Sequence, residues 1–344
     1  VVESYYVNTV DGLFFAVKGM EHPADRLIAV VRYAPDPDGQ RQKDGIRYRR
    51  LYHFDEQEQL LRSFYPQYLT YDPIFNATLQ SVPKSNIQCV HDPRLRLRQL
   101  SENSATVGVE ADAVAFTDLI QREAGIVRSA IGVTGSLLIG LHVETSDLDI
   151  SVFGIQSGRK VHEVLASLRK LHSDVQPLDR QGIQDLYRQR GSETSVPFEE
   201  FGRIERKRIC QGLFRRRPYF VRFIKEMDEA GAEYGSFQYT PLGMATITAT
   251  ISDNRDAIFT PCRYLVSDVR ILVGPRVPIS EIVSFRGRFC EQARAGDCIN
   301  ASGTVERFDT VSGHTGYRLL LGNFPADAIQ ICPFSADVDG CPQP

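Results

Sequence analysis

The sequence predicts an α+β fold in three parts, with a mixed helix-and-strand middle between two β-rich flanks. Three observations carry this. Residues 1–100 read as strands and turns, 101–230 alternate helical and extended patterns, and 231–344 return to short period-two runs. At 344 residues the chain also exceeds one ordinary core.

In the first part, SYYVNTV and LFFAVKGM flank Asp11-Gly12, a turn pair that tolerates positive φ and so marks a hairpin. DRLIAVVRYAP reads as the next strand. The segment after it, with Asp-Gly steps at 38–39 and 44–45, reads as a long loop or second hairpin. DEQEQLLRSFYP is a helix, and SVPKSNIQCVHDPRLRLRQL leads toward the next domain.

In the middle part, Phe116, Leu119 and Ile120 sit at helical spacing before a stop at Gly125. SAIGVTGS is a strand ending in a tight turn, and LDISVFG is a second strand. GRKVHEVLASLRKLHS is a helix with Val161, Val164, Leu165, Leu168 and Leu171 on one face. FEEFGRIERKRICQGLF reads as another helix and RRRPYFVRFIKE as a strand. The last part carries MATITATIS, RYLVSDVRILVG, EIVSFRGRF, CINASGTVERF and GYRLLLG as strands, the pattern of a small barrel or sandwich, with an OB-like barrel the expected form.

Composition excludes several classes. The formal net charge is −3, so no global excess points to nucleic acid, and no run of about 18 apolar residues predicts a membrane span. The first residues do not read as a signal peptide. Seven scattered cysteines without a Cys-x-x-Cys pair argue against a zinc site or disulfide framework, and fit reduced thiols in a cytoplasmic chain. A bridge is conceivable only in the tail CPFSADVDGCPQP. The seven histidines lack metal-ligand spacing. No Walker-type Gly-x-x-x-x-Gly-Lys-Ser/Thr and no Gly-x-Ser-x-Gly elbow occurs.

The chemistry concentrates in GVTGSLLIGLHVETSDLDISVFG, residues 132–154. Alternation on a strand puts Asp147 and Asp149 on one face, with Leu148, Ile150 and Val152 on the other. Two adjacent carboxylates repel, and a divalent cation relieves that cost. Mg²⁺ suits such a pair, because it takes oxygen ligands and leans on one or two carboxylates plus substrate phosphates. Upstream, Gly135 allows a sharp turn and Ser136 is expected to cap a short helix whose free N–H groups aim at the same space.

The order Gly-Ser, a spacer of about ten residues, then Asp-x-Asp on a strand, resembles the signature of the DNA polymerase beta nucleotidyltransferase superfamily. TGSLLIGL…SDLDISVFG is similar to its minimal archaeal and bacterial domains. The whole chain resembles a family of predicted archaeal nucleotidyltransferases with flanking β-rich domains. The resemblance implies a small mixed sheet with helices at 101–230, Gly135 and Ser136 on a triphosphate, and Asp147 and Asp149 on Mg²⁺. It implies transfer of a nucleoside monophosphate from an NTP, such as ATP, to an acceptor hydroxyl, with pyrophosphate leaving.

The superfamily usually adds a third carboxylate on a later strand. If FVRFIK aligns with that strand, Phe220 stands where the acid is expected and Arg222 keeps the basic position, on the nucleotide. Three readings stay open: Glu226 is the third catalytic acid, Glu144 in the spacer supplies it, or it is absent. Arg203, Arg206, Lys207, Arg208, Arg215, Arg216, Arg217, Arg222 and Lys225 form a basic run suited to phosphates or a nucleic-acid backbone, or to a solvated face paired with Glu199, Glu200 and Glu205. Two functions follow. One is an Mg²⁺-dependent nucleotidyltransferase acting on an RNA, protein or small-molecule acceptor. The other is a non-catalytic nucleotide- or nucleic-acid-binding module retaining the fold. The sequence sets no oligomeric state.

Overall fold

The computed structural model describes residues 1–191, 196–231 and 233–332. It is a mixed α+β structure. The hairpin of β1 (Tyr6–Thr9) and β2 (Phe14–Val17) turns through Gly12 at φ +79°. Strand β3 (Arg26–Pro35) follows. Strands β4 (Arg41–Lys43) and β5 (Ile46–Arg50) join through Asp44 and Gly45, both at positive φ, so the second hairpin reading holds. Helix α1 (Phe54–Phe64), the pair β6 (Leu69–Asp72) and β7 (Ala77–Pro83), and β8 (Ile87–His91) complete this part. The main strand order is β4-β5-β3-β2-β1-β8, with β7 also pairing β3. One face buries Val7, Phe15, Val17, Leu27, Ala29 and Val31 with Leu61 of α1. The other face buries Tyr6, Phe14, Tyr33 and Tyr48 against Leu138, Ile139 and Leu141 of the next part.

The middle part begins with α2 (Pro93–Glu102), within the stretch that reads in sequence as a lead-in segment. Asp92 caps it, accepting from the N–H groups of Arg94 and Leu95, and Pro93 fills the first turn. Such a cap contributes about 1 kcal/mol. Helix α3 (Gly108–Ala124) stops at left-handed Gly125. Then come β9 (Ile131–Val133), α4 (Gly135–Ile139), β10 (Leu148–Phe153), α5 (Ile155–Leu171), β11 (Val175–Gln176), α6 (Arg180–Arg190), α7 (Phe198–Lys207), β12 (Gln211–Phe214) and β13 (Arg217–Ile224). The expected helix 198–214 is therefore a helix followed by a strand. The sheet order is β11-β12-β13-β10-β9, with β10 and β13 parallel and the other pairs antiparallel. Leu148, Ile150 and Val152 face a core shared with Phe116 and Ile120 of α3 and Val161 and Leu165 of α5.

The last part contains β14 (Phe237–Asp253), β15 (Cys262–Val273), β16 (Glu281–Ser284), β17 (Cys298–Thr310), β18 (Thr315–Leu321) and β19 (Ala328–Ile331). Five of these pair in a ring, β14-β15-β16-β18-β17-β14, in which only β16 and β18 run parallel. The tail bridge considered from the sequence involves Cys341, outside the described residues.

Buried polar groups lock the ring to the middle sheet. Glu291 accepts hydrogen bonds from the backbone N–H groups of Ile209 (3.0 Å) and Cys210 (2.9 Å), and His162 Nε2 lies 2.6 Å from its Oε1. Fully buried Arg208 donates to the Gly287 carbonyl at 2.5 Å and pairs with Glu205 at 2.9 Å. Burial opposes the Glu291 charge, yet His162 and Arg208 bring its pKa down to about 2 from 4.5. A depressed carboxyl pKa stabilises above the unfolded value and is lost as pH falls through the folded one. Glu291→Gln is expected to cost about 2–3 kcal/mol at pH 7 by losing acceptor capacity at two buried N–H groups. Calorimetric melts should show the gap to wild type shrinking between pH 4.5 and 2. A gap independent of pH would refute the ionic origin.

Candidate functional site

The site forms where the second face of the middle sheet meets the chain's first residues and the N-terminal sheet. Asp149 and Ser151 of β10 point away from the α3–α5 core, as their alternation with Leu148, Ile150 and Val152 requires. On this side Thr134 donates its hydroxyl to the Ser4 carbonyl at 2.6 Å, and Phe153 packs with Val2 and Ile224. Asp147 immediately precedes β10. Both carboxylates are half-buried.

Gly135 lies directly against Asp149. A Cβ added there would lie 2.1 Å from Asp149 Oδ2 and 2.9 Å from its Cγ, and the backbone sits at φ +63°. Only glycine satisfies both conditions at low cost. The Thr134 N–H donates to the Asp149 backbone carbonyl at 2.8 Å, tying the turn to the strand. Ser136 does not cap α4 as the sequence suggests. Thr134 holds the cap position, without a side-chain cap bond, and buried Ser136 lies inside the helix with its hydroxyl 3.5 Å from that of Ser146. Threonine's hydroxyl is committed to Ser4, which leaves the start of α4 without a side-chain acceptor.

Neither Asp147 nor Asp149 makes a side-chain hydrogen bond or an ion pair within 4 Å among the described residues. Burial and then Asp147 push the Asp149 pKa up to about 7, against the pull of Arg50, Arg222 and Arg32. That is the signature of two like charges confined together without a counter-ion in contact. Buried Ser151 Oγ also lacks a partner.

Across the parallel ladder, Phe220 pairs with Asp149 and Arg222 with Ser151. The residue paired with Asp149 on β13 is therefore an aromatic ring. Arg222 lies on the site face, its Nη1 3.4 Å from Glu3 Oε1, and Glu3 also pairs with Lys18 at 3.0 Å and accepts from the Gly19 N–H at 2.8 Å. Gly135, Ser136, Arg222, Asp147 and Asp149 thus belong to one region of the fold.

Glu226 does not join them. It follows the end of β13, six residues beyond Phe220, which corresponds to roughly 15–20 Å along an extended strand. There it pairs with Arg94 and sits beside Gly154. Glu144 is exposed and held by Arg217 at 2.8 Å. Among the described residues, no group of three or more His, Cys, Asp or Glu side chains is arranged to hold a metal. Glu226→Gln is accordingly expected to leave Mg²⁺-dependent nucleotide binding within about twofold of wild type, read by calorimetric titration. A tenfold loss would return Glu226 to the site.

The basic run is largely consumed by structure. Arg208 is buried, Arg217 pairs with Asp112 and Glu144, Arg215 with Asp174, and Lys225 with Asp256. Arg203 lies 3.8 Å from Glu200. Arg206, Lys207 and Arg216 are exposed. His142 is half-buried, 3.7 Å from Glu110, with its pKa lowered by burial.

No protein-family model matches the chain. It is similar to an uncharacterized protein of Methanocaldococcus jannaschii, 25% identical over 325 residues that cover 92% of this chain and 94% of the relative. No solved structure matches. No helix among the described residues is long and apolar enough to cross a membrane.

Proposed function

We propose that the Asp147–Asp149 cleft binds a nucleoside triphosphate with Mg²⁺, and that the chain is a nucleotidyltransferase. The observation that carries this reading is the close approach of Gly135 to Asp149, one of two neighbouring carboxylates that make no side-chain hydrogen bond or ion pair among the described residues. The donor set suits the ion, since Mg²⁺ is commonly held by one or two carboxylates and the phosphates of its substrate. Asp147 and Asp149 would hold it. When bound, it would neutralise triphosphate charge and polarise the phosphorus under attack.

This chain's own residues bind and orient. The Gly135-Ser136 turn lets a phosphate approach the backbone closely, and Arg222, steadied by Glu3, supplies positive charge on the same face. The reaction joins an acceptor oxygen to the α-phosphorus as the bond to pyrophosphate breaks, and the acceptor proton leaves. ATP is the expected donor. RNA is the first acceptor to test, because the five-stranded ring at residues 237–321 is consistent with an OB-like barrel, an architecture that accepts single strands. Protein and small-molecule acceptors are further arms.

One observation favours the second reading. Phe220 fills the position where a third carboxylate is expected, and a site with two acids is suited to retaining a nucleotide without turning it over. The two readings separate in one assay. Labelled NTPs are incubated with Mg²⁺ and total RNA or total protein, comparing wild type with the Asp147→Asn/Asp149→Asn variant. Transfer by wild type alone supports the enzyme. Retention of label without transfer supports the binding module. Equal transfer by both proteins rejects the assignment of the two acids.

A further inference from the structure

We propose that the N-terminal sheet supplies the anion-binding half of this cleft, with Arg32 and Arg50 as the groups that grip a polyphosphate. The inference takes its ligand class from the nucleotide reading above, but its observations are separate. They begin with strand register. Along β2 and β3, Phe14 pairs with Tyr33 and Phe15 with Val31, so one step on β2 spans two on β3 and Arg32 is the extra residue of a bulge. Without the bulge, Arg32 and Tyr33 would point to opposite faces. Val31 lies in the core under α1, whereas Val30 and Tyr33 pack toward Leu138 and Ile139 of α4. Alternation from Val30 points Arg32 toward the face that meets α4, and the bulge turns Tyr33 to that same face, so the two neighbours lie on one side.

Arg50 arrives from the neighbouring strand. It pairs with Tyr33 across β3 and β5, and its guanidinium stacks 4.1 Å from the Tyr52 ring centroid. Its Nε is buried with no hydrogen-bond partner. Neither Arg32 nor Arg50 makes a side-chain hydrogen bond or an ion pair with any described residue, although both are half-buried. Each guanidinium carries five N–H donors, and withdrawing them from water without an acceptor is costly unless an anion arrives. Lys18, by contrast, is hydrogen-bonded to Glu3, and Arg222 lies 3.4 Å from Glu3 with its buried Nη1 lacking a hydrogen-bond partner.

Charge balance agrees. Lys18, Arg32, Arg50 and Arg222 face Glu3, Asp147 and Asp149, a surplus of one positive charge before any metal binds. A divalent ion on the two aspartates raises the surplus to three. A triphosphate, with about four negative charges, offsets that surplus to within one charge. Arginine forks also suit phosphate oxygens in two-point contacts.

The probe is inorganic tripolyphosphate, titrated calorimetrically into the full chain with and without Mg²⁺. Competing arms use orthophosphate and a 5′-phosphorylated oligoribonucleotide. Arg32→Gln and Arg50→Gln should each weaken tripolyphosphate at least tenfold, and Arg50→Lys should recover part of the loss. Thermal melts identify any variant that fails to fold, and Arg32→Lys then serves as the milder test. Asp147→Asn/Asp149→Asn should abolish the Mg²⁺ enhancement while retaining metal-free tripolyphosphate binding. If that variant binds and transfers as wild type does, the metal reading fails while the arginine assignment stands. The arginine assignment is overturned if tripolyphosphate does not bind, if the folded Gln variants bind it as wild type does, or if only the oligoribonucleotide binds through these arginines.

Discussion

Gly135→Ala is expected to abolish Mg²⁺-dependent nucleotide binding and to lower the melting temperature by about 10 °C. Two costs combine. An alanine at φ +63° pays about 1–2 kcal/mol for the left-handed conformation. Its methyl group would also stand 2.1 Å from Asp149 Oδ2, 2.9 Å from Cγ and 3.1 Å from Cβ, so the whole carboxylate must move rather than one flexible tip. Displacing it strains β10 or the turn, and the sum is about 2–4 kcal/mol. At a few degrees per kcal/mol for a domain of this size, the melt should move visibly. Gly140→Ala is the matched control. Gly140 ends the same helix at φ +70°, but an added Cβ meets only Lys43 atoms at 4.0 Å. It should show the backbone cost without the loss of binding. Equal melts and equal binding in the two variants would remove the close approach from the explanation.

The sequence made the ladder of β1 to β3 and the helices α3 and α5 readable because their signals are local. Asp11-Gly12 and Asp44-Gly45 mark hairpins, and α3 ends at a glycine that adopts the expected left-handed conformation. The approach of residue 135 to residue 149 was readable for the same reason, since the turn at Gly135 and the alternation of Asp149 with Leu148 and Ile150 are local signals. What failed was non-local. The strand 211–214 reads as a helix because its turn to β13 is made by Arg215 and Arg216, both at positive φ, with no Gly or Asn to announce it. Arg215 is held there by Asp174 and by the Phe214 ring. Helix α2 carried a readable sign, Asp92-Pro93, that the surrounding strand-like residues obscured. Arg32 and Arg50 could not be found from sequence at all. Their approach to Asp149 depends on how one sheet packs against another part of the chain.

Asp149→Asn is expected to make the metal-free protein more stable at pH 8 while removing its response to Mg²⁺. The sign follows from the two protonation states. Unfolded, the Asp149 carboxyl titrates near 3.8. Folded, burial and Asp147 hold it near 7. Between those values the folded chain binds the extra proton, so stability falls as pH rises through the window, and above it the full cost of ionisation is present. Asparagine carries no charge at any of these pH values. It should therefore raise the melting temperature at pH 8, by about 1–2 kcal/mol or several degrees, and change it little at pH 4. Wild type should recover the difference when Mg²⁺ and NTP are added, since ligand at a hundredfold excess over its dissociation constant contributes about 2.7 kcal/mol. The variant should not. A residue that weakens the fold when empty and strengthens it when loaded has been kept for binding rather than for packing. The opposite pattern, a variant less stable at pH 8 than at pH 4 beside a wild type indifferent to Mg²⁺, would mean that Asp149 serves the fold through a contact the protein itself provides.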